Sequence, residues 1–165
     1  MGLAIRERIF SWTEKYDIYN EEGRPVYHVE GEFFSLGHKF HIYDLSHNEV
    51  AFVKEKAWSF LHKFEIYVAG DLKGTVKEKL SFFKPKYDVD FMGAKITGDL
   101  FEWNYQVVGN DGVPLGVMQR KIFSWANTYY LTASDPKNEL PLLALSLAVD
   151  AAHTDDENAA FYYYG

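Results

Sequence analysis

The stretch from Leu140 to Val149 carries no charge and follows a part of the chain that reads as β structure. Its Leu- and Ala-rich composition, continuing to Ala152, favours a helix over about 141–152. Pro141 stands near its start, where helices tolerate proline. A surface helix shows one polar face, whereas this one is apolar all round until Asp150. Such a helix must be buried on all sides, with Leu142, Leu143, Leu145, Leu147 and Val149 as its core residues. Its length of ~18 Å suits the bore of a β-barrel. It is too short to cross a bilayer, which needs about 20 residues, so no transmembrane span is expected. The alternative is a helix capping an open sheet, with part of its girth wet.

Residues 5–134 carry the signals of short strands and tight turns. Turn candidates are Asn20-Glu21-Glu22-Gly23, Ser46-His47-Asn48, Ala69-Gly70-Asp71, Thr97-Gly98-Asp99 and Gly109-Asn110-Asp111-Gly112. The last lies between two alternating apolar runs, a strong hairpin signature. Aromatics make up 18% of the chain, which favours pleated structure. The count is about a dozen strands, many joined as hairpins, which predicts a mainly β fold, a sandwich or a closed barrel. No linker or composition break divides residues 1–165, so one domain is expected.

One phrase recurs through these strands. It reads Arg6-Glu7-Arg8-Ile9-Phe10-Ser11-Trp12 and Lys54-Glu55-Lys56-Ala57-Trp58-Ser59-Phe60. A shorter copy is Lys77-Glu78-Lys79-Leu80-Ser81-Phe82, and a degenerate one is Gln119-Arg120-Lys121-Ile122-Phe123-Ser124-Trp125. Recurrence of this kind marks a structural unit used several times. On a strand, Lys54 and Lys56 share one face, as do Lys77 and Lys79. That face is expected to be the solvated outside. Glu7, Glu55, Glu78 and Arg120 then tend inward, where a charge must be paired or sit near a wet barrel end.

The net charge of -7 repels phosphate polyanions, so no nucleic-acid partner is expected. Cysteine is absent, which removes disulfides, thiolate metal sites and a cysteine nucleophile. No secretory signal is visible, and Arg6 stands where a myristoylation motif needs Ser or Thr. A cytoplasmic protein is the expectation.

The run Pro25 to Gly37, the pair Phe40-His41-Ile42-Tyr43-Asp44, the Lys-Glu-Lys copies, Phe82-Phe83-Lys84-Pro85-Lys86-Tyr87 and the closing apolar helix ending at Asp150 occur in a telling order. Together they resemble the LURP-one-related family, in its bacterial YxjI-like branch, over roughly residues 5–152. That family is related to Tubby C-terminal domains and phospholipid scramblases. The resemblance implies a twelve-stranded, largely antiparallel closed barrel around a hydrophobic C-terminal helix. The family's usual Asp-Thr-Tyr after the last repeat is Asn127-Thr128-Tyr129 here. Relatives bind phosphoinositide, scramble lipid or act in plant defence, and the bacterial branch has no settled activity.

Candidate chemistry is sparse. His38 and His41 would lie on opposite faces of a strand, so no metal site is expected from them. His28, His47 and His62 have no partner identifiable from sequence. Asp150, His153, Asp155, Asp156 and Glu157 lack the spacing of a calcium loop and read as a solvated helix exit. Ser11, Ser59, Ser81 and Ser124 sit in no nucleophile elbow, and no phosphate-cradling glycine loop exists. No cofactor and no catalysis are expected. What remains is a local excess of lysine: Lys54, Lys56, Lys77 and Lys79, with Lys84 and Lys86 nearby. These could cradle an anionic phospholipid head group, with peripheral attachment to the inner membrane face, or protect strand edges in a barrel that binds protein. A small-molecule carrier would need a hollow bore.

Overall fold

The computed structural model describes residues 2–6, 15–32, 37–56, 61–80, 86–100, 102–123 and 126–164, with side chains for all but residues 6, 122, 123, 126, 127 and 154–164. Among the described residues, twelve strands precede one helix. They are β1 Gly2–Arg6, β2 Lys15–Asn20, β3 Pro25–Glu32, β4 Lys39–Tyr43, β5 Glu49–Glu55 and β6 Lys63–Val68. Then come β7 Asp71–Lys79, β8 Lys86–Phe91, β9 Lys95–Asp99, β10 Asn104–Val108, β11 Pro114–Phe123 and β12 Ala126–Ala133. The helix α1 spans Pro136–Tyr164.

All pairings are antiparallel, in the order β8-β7-β6-β5-β4-β3-β2-β1-β12-β11-β10-β9. The first strand of the chain pairs with the last, Leu3 opposite Leu131 and Ile5 opposite Tyr129, and this bends the sheet into a barrel. The barrel is nearly closed rather than closed. Among the described residues no ladder joins β8 to β9, although only Met92-Gly93-Ala94 separate them. Met92 N still donates to Lys73 O of β7 at 3.0 Å, while β9 turns to pair with β10, Lys95 opposite Val108. Positive φ at Met92 and Gly93 makes that parting turn.

Thr97-Gly98-Asp99 is not a turn but the end of β9. Gly98 lies opposite Tyr105, and a Cβ there would collide with Asn104 O. The glycine serves close backbone approach rather than chain reversal. The other four turn candidates fall between strands. In one of them the Asp44 carboxylate accepts from Ser46 N at 2.8 Å and Asn48 N at 2.9 Å, holding His47 at positive φ.

The recurrent phrase has a topological meaning. Its described parts close β1, β5, β7 and β11, all odd-numbered strands running toward the same barrel end. Ser11, Ser59, Ser81 and Ser124 lie outside the described residues.

The bore is apolar. Leu3, Ile5, Ile18, Val29, Ile42, Val53, Phe64, Ile66 and Met118 point into it fully buried. Against them Leu143, Ala144, Leu145, Leu147 and Ala148 show 0% exposure, with Leu142 and Val149 scarcely more. The helix begins earlier and ends later than the sequence suggests. Asp135 caps it, its Oδ1 accepting from Lys137 N at 2.9 Å, and Pro136 takes the first helical position. Pro141, expected at the start, lies inside, where it withholds one main-chain hydrogen bond. No described helix is long and apolar enough to cross a membrane.

Candidate functional site

Strand parity decides where the lysines go. Val53 is fully buried in the bore, so Lys54 points outward; Val76 is buried, so Lys77 points outward. Register then gathers the lysines on one face of four adjacent strands. Lys54 lies opposite Lys39 and Glu65, Lys77 opposite Lys63 and Asp88, and Lys79 opposite Lys86. Lys56 follows β5 on the same side. Lys84 lies outside the described residues.

The carboxylates among them differ from those that interrupt the repeat. Glu65 faces outward yet is nearly covered. Lys56 Nζ stands 3.0 Å from its Oε1 and Lys54 Nζ 3.8 Å from its Oε2. The Tyr67 hydroxyl donates to Oε2 at 2.9 Å, and Lys54 Nζ lies 5.3 Å from the Tyr67 ring centre. Burial alone would raise the Glu65 pKa, but the hydrogen bonds of Lys56 and Tyr67 and the two ammonium charges hold it below the usual carboxylate range. Lys79 pairs with Asp88 at 3.3 Å. Lys54, Lys56 and Lys79 therefore have internal partners. Lys77, Lys86 and their neighbour Lys63 form no ion pair among the described residues, and Lys77 and Lys86 are exposed.

Glu55 and Glu78 turn to the other side, as parity requires. Glu55 sits at a barrel end with its side chain 10% exposed. It accepts from His38 N at 3.0 Å, and its two oxygens lie 2.9 Å from His38 Nδ1 and 2.6 Å from His62 Nδ1. Desolvation opposes its ionisation, yet these contacts push its pKa far below the ordinary value. Glu78 accepts from His62 N at 3.1 Å. Arg120 shares the inward parity of buried Met118 and stands 3.8 Å from Glu102. Glu7 lies outside the described residues.

Sequence spacing gave no partner for His28 or His62, and the fold supplies them. His28 Nδ1 is 2.9 Å from Asp17 across the β2–β3 pair, and His62 meets Glu55. His41 lies 2.6 Å from Glu49 and 3.1 Å from Glu32 on the outer face, away from His38. Each of these imidazoles is held by a carboxylate that only strand register brings near. No group of three or more such residues is placed to hold a metal ion among the described residues. At the helix exit the side chains of Asp155, Asp156 and Glu157 lie outside the described set.

Comparison with known proteins agrees with this architecture. A Bacillus subtilis protein known as uncharacterized protein YxjI is 28% identical over 160 residues, covering 97% of this chain and 98% of its own. A crystal structure of an Arabidopsis thaliana protein superposes with a TM-score of 0.58 at 20% identity, covering 95% of this chain and 91% of that one, which shows a shared fold. The family model for LURP-one-related proteins matches residues 1–150. By that match, the chain belongs to the LURP-one-related family.

Proposed function

We propose that this protein is a non-catalytic binding or scaffold barrel whose working surface is its outer wall. The filled bore carries the reading. With Leu143 to Ala148 seated at essentially zero exposure among apolar strand residues, the interior is already packed and a ligand is left the wall. A carrier would need that space empty.

A second reading follows from Lys63, Lys77 and Lys86, which lack described ion-pair partners on β6, β7 and β8. In this reading the wall engages an anionic phospholipid head group, which would hold the protein peripherally at a membrane surface. The net charge of -7 opposes any anion, so such binding depends on the local lysines and weakens with salt.

One experiment bears on both readings. In native mass spectrometry with oleate, a filled bore gives no one-to-one fatty-acid adduct, and a stable adduct would overturn the outer-wall reading. A short-chain phosphatidylserine arm addresses the lipid. The head-group reading expects an adduct that salt and the double change Lys77→Ala, Lys86→Ala both remove. An absent adduct, or one indifferent to those lysines, rejects it.

A further inference from the structure

Half a turn of the barrel away from the lysines, β12, β1 and β2 carry a different surface. Leu3 and Ile5 fill the bore, so Ala4 faces out; buried Ile18, Tyr129 and Leu131 likewise turn Tyr19 and Tyr130 outward. Register sets Ala4 directly between the two tyrosines, opposite Tyr130 on one side and Tyr19 on the other. A methyl group flanked by two phenol rings leaves a cleft of about 370 Å³ with Ala4 as its floor. Thr128, Asn20, Glu21 and Gly23 also line it.

Among the described side chains, Glu21 is the only charged one in that lining. Its carboxylate lies back over Gly2, where a Cβ would collide with Glu21 Oε1, so the bare glycine lets the charge rest on β1. Gly2 and Ala4 share the outer face two residues apart, about 7 Å along the strand. Two described cations near the cleft have partners of their own. Arg24 stands 3.6 Å from Glu22, and Lys121 Nζ lies 4.8 Å from the Tyr130 ring centre, outside the cleft on its β11 side. Among the described residues Glu21 has no ion pair, and the hydroxyls of Tyr19 and Tyr130 have no hydrogen bond.

We propose that this cleft binds an organic ammonium ion, held between Tyr19 and Tyr130 with Glu21 as its counter-charge. Two neighbouring strand spacings put the tyrosine stems about 10 Å apart, which leaves a centred ammonium roughly 5 Å from each ring. That is within the ~6 Å at which a ring face attracts a cation. The carboxylate sets the sign of the ligand, and the acidic protein as a whole favours it. The contact of Lys121 with Tyr130 shows that such a ring takes a cation in this surface. The site is independent of the lysine face and of the bore, so the outer-wall reading can fail without it.

Choline is the probe, titrated into the protein while tyrosine ring signals are followed by NMR. The neutral tert-butyl isostere, with carbon in place of nitrogen, is the control. Millimolar-order binding of choline is expected, with the isostere about tenfold weaker. Glu21→Gln at the exposed turn, and separately Tyr19→Leu, should each weaken choline about three- to tenfold. Flotation on phosphatidylcholine vesicles separates the sources. Binding lost with Tyr19→Leu identifies a lipid head group, and binding of free choline alone identifies a soluble amine. Equal affinity for choline and isostere, no binding of choline, or indifference to Glu21→Gln would overturn the proposal.

Discussion

Glu55 and Glu139 are both carboxylates drawn toward the barrel interior, and their surroundings push them in opposite directions. Glu55 lies between His38 and His62, and its pKa is depressed far below normal. Glu139 is buried near Tyr27, whose hydroxyl donates to it at 3.4 Å, and burial raises its pKa. A depressed carboxylate contributes stability above its unfolded value of about 4.3 and loses it as pH falls toward the folded value. A raised carboxylate instead costs stability above that same unfolded value and nothing well below it. Glu55→Gln should therefore destabilise by about 1–3 kcal/mol at pH 7, with the deficit shrinking in urea melts near pH 4. Glu139→Gln should be neutral to stabilising at pH 7, and any gain should vanish in acid. The inward turn of Glu55 and Glu78 was legible from strand parity. Their histidine partners were not, because these sit 7, 16 or 17 residues away and meet only through register. Register irregularities at Ile42/Tyr43 and Ile66/Tyr67 hide that meeting from the sequence.

Among the elements, α1 dominates the packing. Three tyrosines from different strands fasten it: Tyr27 to Glu139, Tyr105 3.4 Å from Ser146 Oγ, and Tyr87 donating to Ala152 O at 2.9 Å. Leu145 sits midway along the buried stretch at 0% exposure. Leu145→Ala should cost about 2–5 kcal/mol, since the surrounding strands collapse only partly onto the cavity. Leu72→Ala, at a 54% exposed hairpin position, should change little in the same denaturant curves. The existence of this helix was legible because it is apolar all round, which leaves it only a bore to occupy. Its start was not, because Pro141 drew the boundary inward from the capping pair Asp135-Pro136. The seam between β8 and β9 was hidden too, since a turn as short as Met92-Gly93-Ala94 ordinarily announces a hairpin.

For the whole molecule, a filled bore and a divided surface define what the fold can do. The lysine-bearing strands β5 to β8 and the tyrosine cleft of β12, β1 and β2 occupy opposite sides of one barrel. The lysine side was foreshadowed by the repeat. The cleft was not, because Ala4, Tyr19 and Tyr130 lie far apart in sequence and are joined only by the closing β1–β12 pair. Both surfaces depend on α1 staying seated, since it is the packed helix that turns a curled sheet into a rigid wall. Native-state hydrogen exchange of the Leu142–Val149 amides tests this most directly. A seated helix predicts that they are among the slowest in the protein, opening only with global unfolding. Exchange as fast as that of the exposed hairpin turns, with the strands still protected, would mean that the helix leaves the bore and would contradict it.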